Sequence, residues 1–208
     1  MASLLKIDVS PRGDYSYSRQ LGAIFTENWQ AAHSGATVVT RDLAKNQPPF
    51  LDLPWIAGAF TPPDQHTPES KAALKVSNDI IAEVQAADHI VITTPMYNFQ
   101  VPAALKAWID HLVRVGVTVN YGANGPEGQL HGKKVTVIVA SAGAYPAGDP
   151  SHAYNMLTPY LKHILGFVGL TDVTFLEAGG AAGVQYGKIS EEDWKKPYAE
   201  KAAELGKA

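Results

Sequence analysis

His89-Ile90-Val91-Ile92-Thr93-Thr94 is an unbroken run of apolar and β-branched residues in the middle of the chain. A second run of this kind extends from Val135 to Ala140. Such runs are typical of strands that are covered on both faces, as in the centre of a parallel sheet. The two segments therefore predict the central strands of a buried parallel sheet.

Strand and helix patterns alternate on both sides of this centre. The other predicted strands are Leu4–Val9, Thr37–Thr40 and Val173–Leu176. The predicted helices cover Ser18–His33, Thr67–Ala86, a segment opened by Pro102, Tyr154–Phe167, and a polar, frayed C-terminal segment from Ser190. Five strands that alternate with helices predict parallel pairing through right-handed crossovers. We expect a single α/β domain, residues 1–208, with a flavodoxin-like doubly wound sheet of order 2-1-3-4-5.

Two segments exceed this minimal pattern. One is the Pro-rich stretch Pro48–Pro63, and the other is Val117–Lys133, where Asn124-Gly125 predicts the turn of a short hairpin. Both segments are candidates for lids or interface pieces, and ordinary long surface loops explain them equally well. The apolar residues Phe50, Leu51, Trp55, Ile56 and Phe60 in the first segment favour an interface or a pocket wall.

Composition excludes several classes of function. A formal charge of -3 over 208 residues provides no basic field for nucleic acid or an anionic membrane. The absence of cysteine excludes disulfides, thiolate metal sites and a cysteine nucleophile, so redox chemistry would need a cofactor. No apolar stretch approaches the ~20 residues of a membrane span, and no secretory signal is evident. We expect a cytoplasmic protein.

Ligands of open parallel sheets bind beyond the carboxyl ends of the strands, which selects three loops. The first loop, Ser10–Ser18, offers the hydroxyls of Ser10, Ser16 and Ser18 and the free N–H groups of a helix N-terminus to a phosphate. The alternative is that Ser16 or Ser18 merely caps the helix. With Gly13 as its only glycine, the loop is neither a dinucleotide fingerprint nor a P-loop.

The other two loops suit a flat ring. Pro95–Gln100 carries Met96, Phe99 and the amide of Asn98, although Met96 and Phe99 also fit as core filler. The third loop begins with Ser141 and has Gly143 where backbone could approach a ring, and an ordinary turn explains it equally well. One ligand that touches all three loops would be a mononucleotide such as FMN.

At these loops the sequence resembles, over nearly its whole length, the FMN-dependent NADH:quinone oxidoreductases known as bacterial azoreductases. The motifs that carry the resemblance are Tyr15-Ser16-x-Ser18, Pro95-Met96-Tyr97-Asn98-Phe99, Gly122-x-Asn124-Gly125-Pro126-Glu127-Gly128, and Thr158-Pro159-Tyr160-Leu161 with Leu165-Gly166-Phe167. The resemblance implies a homodimer with one non-covalent FMN per subunit. It also implies that NAD(P)H donates a hydride and that a quinone or azo compound accepts the electrons, by a ping-pong mechanism.

The resemblance assigns residues to the cofactor one by one. The implied FMN contacts are Ser10, Ser16, Tyr17 and Ser18 at the phosphate, Met96, Tyr97, Asn98 and Phe99 along the ribityl chain and ring, and Ser141, Ala142, Gly143 and Ala144 on the other side of the ring. At positions 141–144 many members of the family have Ser-Arg-Gly-Gly. This chain has Ala142 in place of the Arg and Ala144 in place of the final Gly. If the final residue needs a positive φ, Ala144 costs about 1 kcal/mol or shifts the loop.

The expected substrate pocket is lined by Phe60, Phe99, Tyr121 and Tyr145. No side chain stands out as a catalytic acid, since the chemistry would take place on FMN. The histidines show no metal-binding spacing, and Asp110-His111 is best explained as structural. A flavodoxin-type electron carrier without a substrate pocket is the alternative function, and a flavin-free α/β domain is a third.

Overall fold

The computed structural model describes the whole chain, Met1–Ala208. Five parallel strands form one sheet in the spatial order β2-β1-β3-β6-β7. These strands are β1 (Ser3–Asp8), β2 (Thr37–Asp42), β3 (His89–Pro95), β6 (Lys134–Ala140) and β7 (Asp172–Ala178). Counted among themselves, they follow the order 2-1-3-4-5, so the predicted topology is confirmed.

Helices cover both faces of the sheet. They are α1 (Tyr17–Ala32), α2 (Leu53–Ala59), α3 (Pro68–Ala86), α4 (Ala103–Leu112), α5 (Leu157–Phe167), α6 (Ala182–Gln185) and α7 (Glu191–Lys207). Successive residues of a strand face opposite sides, so Ile90 joins the core under α3, α4 and α5, while Val91 joins the core under α1 and α7. This double coverage explains why the first six residues of β3 are all buried.

The predicted hairpin is present as β4 (Val119–Gly122) and β5 (Gly125–Gly128), which pair antiparallel. Its base is fixed to the end of α5, because Leu130 N–H donates to the Val168 carbonyl at 2.9 Å. A Cβ at Gly128 would overlap the backbone of Gly169, so only glycine permits this close approach. The tip of the hairpin projects into solvent.

The structure contains one helix that was not predicted, in the Pro-rich stretch, and it corrects the expectation of a frayed C-terminal helix. The Pro-rich stretch is not only loop, since α2 forms within it and the Asp52 carboxylate caps it by accepting from Trp55 N–H at 2.9 Å. The C-terminal segment is not frayed, since α7 packs along α1 with Trp194 and Ala202 buried. Gly206 lies so close to the Phe25 carbonyl that a Cβ would overlap it. A polar sequence hid this contact because small residues, rather than large apolar ones, form much of the packed face.

None of the helices combines the length and the apolar character that crossing a membrane requires.

His89 occupies the opposite end of the sheet from the three loops. Its ring is 6% exposed, packs edge-on against Phe25, and shares a hydrogen bond of 3.0 Å between Nε2 and Thr136 Oγ1. Burial disfavours the charged imidazolium and lowers the pKa of His89 from its ordinary 6.5 to about 4. The folded protein therefore keeps this histidine neutral above about pH 4.

We expect His89 to make the stability of the fold sensitive to acid. Between pH 6.5 and pH 4 the unfolded chain binds a proton on His89 that the folded chain does not, so stability falls as the pH decreases. The full effect is about 3 kcal/mol, and it is absent above pH 7. Urea unfolding at pH 7 and pH 4.5 should show a smaller loss for His89→Gln than for the parent.

His163→Gln is the matched control, because this histidine is exposed on α5. The control should lose as much stability as the parent between the two pH values. An equal loss in His89→Gln would refute the role assigned to His89.

Candidate functional site

A cavity of about 660 Å³ lies beyond the carboxyl ends of β1, β3, β6 and β7. This volume falls within the range of ligand pockets in proteins, ~300–1,000 Å³. Of the residues predicted from the sequence, its lining includes Ser10, Ser16, Tyr17, Met96, Tyr97, Ser141 and Ala142. The three predicted loops thus meet at one cavity.

Other predicted residues lie beside or outside this cavity. Ser18 is buried next to Ser16, with their hydroxyl oxygens 3.2 Å apart. Ala144 and Tyr145 line a second cavity of about 200 Å³ that shares Met96 and Ser141 with the first.

Five further predicted residues line neither cavity of the single chain. Asn98 and Phe99 form the turn after β3, while Phe60 and Tyr121 are 76% and 66% exposed. Gly143 likewise lines neither cavity and lies beneath the Tyr145 hydroxyl.

The first loop presents uncommitted hydrogen-bond donors. Ser16 occupies the N-cap position of α1, but its side chain accepts no bond from the helix, so the capping explanation does not apply to Ser16. Ser10, Ser16 and Ser18 are almost fully buried. Ser16 and Ser18 share one hydrogen bond, and the Ser10 oxygen only accepts, from Arg12 N–H at 3.3 Å. Two of the three hydroxyl protons therefore have no acceptor within the chain, next to the free N–H groups of a helix N-terminus.

The cations behind this loop are neutralised by carboxylates. The Arg19 guanidinium forms two hydrogen bonds with Asp42, at 2.7 and 2.8 Å, and these lower the pKa of the Asp42 carboxyl to about 2. Lys6 lies 3.0 Å from the Asp8 carboxylate. Arg12, by contrast, lines the cavity and forms no ion pair. It is the cation that remains available to an anionic ligand.

The turn after β3 is held in an unfavourable conformation. Tyr97 and Gln100 exchange two backbone hydrogen bonds of 3.0 Å, which forces positive φ values of 49° and 67° on Asn98 and Phe99. Asparagine tolerates this region, whereas for phenylalanine it costs about 1–2 kcal/mol. Met156 N–H compensates by donating to the Phe99 carbonyl at 3.1 Å. Strain of this kind is concentrated at functional sites, which supports a role for this turn.

The third loop is not strained. Neither Gly143 nor Ala144 has a positive φ, so the cost considered for Ala144 does not arise. The Ser141 hydroxyl donates to the Gly143 carbonyl at 2.8 Å and closes the loop on itself. Alanine therefore fits this backbone without a shift of the loop.

Sequence reasoning missed one wall of the cavity, the segment that follows β7. Ala181, Ala182, Val184 and Gln185 line the cavity from this side. The segment is bonded to the third loop, since Ala181 N–H donates to the Ser141 carbonyl at 3.1 Å and Ala182 N–H to the Ala142 carbonyl at 3.0 Å. The signal was available, because Gly179-Gly180 follows the fifth strand at the same edge of the sheet.

Asp110-His111 does not belong to the site. His111 is buried and its Nε2 hydrogen-bonds the Pro49 carbonyl at 2.9 Å, so its role is to hold the segment before α2. No group of three or more histidine, aspartate or glutamate side chains is arranged to hold a metal ion.

Comparison with known proteins agrees with this fold and site. Residues 2–203 match the family Flavodoxin_2, described as a flavodoxin-like fold. The FMN-dependent NADH:quinone oxidoreductase 2 of Trichormus variabilis is 51% identical over 86% of each chain. The FMN-dependent NADH:quinone oxidoreductase 8 of Burkholderia lata is 41% identical over 98% of this chain and 96% of that one. The azoreductase of Bacillus anthracis strain Sterne superimposes with a TM-score of 0.89 at 27% identity, covering 100% of this chain and 99% of its own.

The chain is thus a flavodoxin-like protein by its fold. More narrowly, it belongs to the family of FMN-dependent NADH:quinone oxidoreductases, and the resemblance predicted from its motifs is confirmed.

Proposed function

We propose that this chain, as one FMN-binding domain of residues 1–208, transfers electrons from NAD(P)H through FMN to quinones and azo compounds. The observation that carries the proposal is the pair of buried serine hydroxyl protons without acceptors at the N-terminus of α1, at one end of a cavity large enough for a mononucleotide. The names of its relatives, NADH:quinone oxidoreductases and azoreductases, support the same chemistry.

The phosphate end of the cavity fits an anion without a lysine. Ser10, Ser16 and Ser18 offer hydroxyl donors, and the first turn of α1 adds N–H groups and the positive end of the helix dipole. Arg12 adds a formal positive charge that is not paired with any carboxylate of the chain. A dianionic phosphate would satisfy all of these groups together.

The other end of the cavity fits a flat ring. Met96 and Tyr97 provide apolar surface at the end of β3, and Ser141 and Ala142 provide backbone from the end of β6. When bound, FMN supplies the two-electron chemistry by accepting a hydride from a nicotinamide and passing the electrons to the acceptor. The residues of this chain would hold the phosphate and orient the ring.

The first loop lacks the glycine fingerprint, so it does not form a Rossmann-type site for the nicotinamide dinucleotide. We infer that donor and acceptor stack in turn on the same exposed face of the ring, with Phe60, Phe99, Tyr121 and Tyr145 as walls of the shared substrate pocket. Full cleavage of an azo bond to two amines takes four electrons, so it would require two such cycles. This sequential use of one pocket distinguishes the enzyme from an electron carrier.

The phosphate assignment predicts a selective loss of affinity. Ser16→Ala combined with Ser18→Ala removes two hydroxyls and should weaken FMN binding roughly tenfold or more. Riboflavin lacks the phosphate, so its affinity should not change. Titration of the FMN-free variant with each flavin, followed by flavin fluorescence, measures both affinities.

Ser34→Ala is the control, because Ser34 is an exposed serine in the turn after α1, at the far end of that helix. It should bind both flavins as the parent does. If the folded double variant kept the parent affinity for FMN, the phosphate would have to bind elsewhere.

The shared pocket predicts a kinetic pattern. Because the oxidised nicotinamide must leave before the acceptor enters, initial rates against NAD(P)H at several quinone concentrations should give parallel double-reciprocal lines. Intersecting lines would show that donor and acceptor bind together and would contradict the one-pocket arrangement. A protein that held FMN but oxidised neither NADH nor NADPH would instead support the carrier alternative.

We further propose that the chain acts as a homodimer. The helix α2 buries Gly58 against α3 and Trp55 against His111 of α4, and it exposes an apolar face on its other side. The exposed side chains are Phe50, Leu53, Ile56 and Phe60. Trp55 was expected in this surface but belongs to the core. An apolar face of this size on a single chain favours a protein partner, and a second copy would bring Phe60 and the hairpin residue Tyr121 toward a cofactor site.

A cytoplasmic location is part of this proposal, since the donor NAD(P)H is a cytoplasmic nucleotide.

Charges on this face should separate the subunits. The double variant Leu53→Glu with Ile56→Glu places two carboxylates in the proposed interface and should shift the mass from about twice 22.3 kDa to 22.3 kDa in light scattering. Val39→Glu, on the exposed edge strand β2, is the control and should keep the parent mass. A monomeric parent with FMN bound would overturn the dimer proposal.

A further inference from the structure

Two side chains of the C-terminal helix α7 donate hydrogen bonds to one backbone carbonyl beside the site. Trp194 Nε1–H donates to the Gly179 oxygen at 2.9 Å, and the Tyr198 hydroxyl donates to the same oxygen at 3.1 Å. The two donors are one helical turn apart on α7, so they reach the carbonyl from the same face of the helix. Both lone pairs of the Gly179 oxygen are thereby used.

Gly179 begins the segment that lines the cavity after β7. Next to it, Gly180 N–H donates to the Gly143 carbonyl at 3.0 Å. With the bonds from Ala181 and Ala182, this makes three backbone hydrogen bonds from the segment to the third loop. A Cβ at Gly179 would lie 3.0 Å from Ala144 Cα, so the two backbones are in direct contact. A displacement of Gly179 therefore displaces the third loop as well.

Trp194 and Tyr198 also contact the walls of the two cavities, although neither side chain lines the main cavity. The Trp194 ring packs against Tyr17, which lines the main cavity, with the ring centres 4.6 Å apart. Tyr198 lines the smaller cavity beside Gly179 and Ala144. The helix α7 thus supports the site from behind on two of its walls.

We propose that Trp194 and Tyr198 are positioning residues, which hold the Gly179 carbonyl and through it set Ser141–Ala144 against the ring of the flavin. This inference rests on the proposed function. The hydrogen bonds act at the ring end of the cavity, whereas the serines act at the phosphate end. Loss of the clamp leaves the third loop to be ordered when the flavin binds, which weakens binding.

The test is the pair of variants Tyr198→Phe and Trp194→Phe, alone and combined. Each single variant leaves one donor on the carbonyl and should weaken flavin binding by a few-fold, while the double variant leaves the carbonyl without either donor and should weaken it by roughly tenfold or more. In Tyr198→Phe, which leaves the contact of Trp194 with Tyr17 in place, the effect is confined to the ring end, so FMN and riboflavin should lose affinity by the same factor. The reduction potential of bound FMN should shift in the same variants, since the protein groups around the ring change position.

Tyr160→Phe is the matched control, because the Tyr160 hydroxyl on α5 makes no hydrogen bond within the chain and lies away from Gly179. It should leave both affinities and the potential unchanged. Tyr198→Phe, which retains the ring, keeps the proposal testable if the double variant does not fold.

Two results would overturn the inference. The first is unchanged flavin affinity in the variants, with or without a loss of stability to urea, since a loss of stability alone is what a purely structural role predicts. The second is a loss of affinity for FMN alone in Tyr198→Phe, which would move the effect to the phosphate. In each case the parent still binds FMN, whereas a parent that bound no flavin would instead reject the proposed function.

Discussion

The geometry of the site depends on the hydrogen bonds and ion pairs that the Arg19 guanidinium makes. It pairs with Asp42 at the end of β2, donates from Nε to the Ser10 carbonyl at 2.8 Å in the first loop, and lies 3.5 Å from the buried Asp8 carboxylate at the end of β1. One side chain in the first turn of α1 thus ties that helix to the ends of two strands and to the loop that follows β1. A buried carboxylate such as Asp8 is stable only while its partners are in place, so the pairing also fixes Lys6 and Thr93 around it. The serine hydroxyls of the loop are positioned as a consequence.

The packing of α1 on the sheet sets the remaining distance. A Cβ at Gly22 would overlap the side chain of Thr93 in β3, so the helix lies as close to the central strand as the backbone permits. Thr93 also donates to Asp8 at 2.7 Å, and this contact joins the steric constraint to the charge network. The N-terminus of α1 and the turn after β3 therefore approach each other for reasons that lie outside the cavity. A ligand meets a site that is formed before it binds.

The strands and the loops could be predicted from sequence because their signals are local. The apolar runs of β3 and β6 identify the centre of the sheet, and the rule for strand ends then selects the loops without further information.

The contacts of α7 could not be predicted in this way. The bond from Trp194 to Gly179 joins residues that no periodic pattern relates, and α7 reads as polar because its packed face is built partly from Ala202 and Gly206. The positive φ of Phe99 was equally hidden, since it is imposed by the bonds between Tyr97 and Gln100 against the preference of the side chain.

The two ends of the cavity differ in what they require of the sequence. At the proposed phosphate end the hydroxyls of Ser10, Ser16 and the adjacent Ser18 would themselves be the donors, so the proposal ties binding to the side chains at these positions. At the ring end the third loop offers mainly backbone, whose position is set by bonds from the segment after β7 rather than by the side chains of Ala142 and Ala144. Neither position has a positive φ, and the absence of a side chain at Gly179 leaves room for its close contact with Ala144. Ala142 and Ala144, where the family resemblance led us to expect Arg and Gly, therefore change the side chains on the loop while its backbone needs no positive φ.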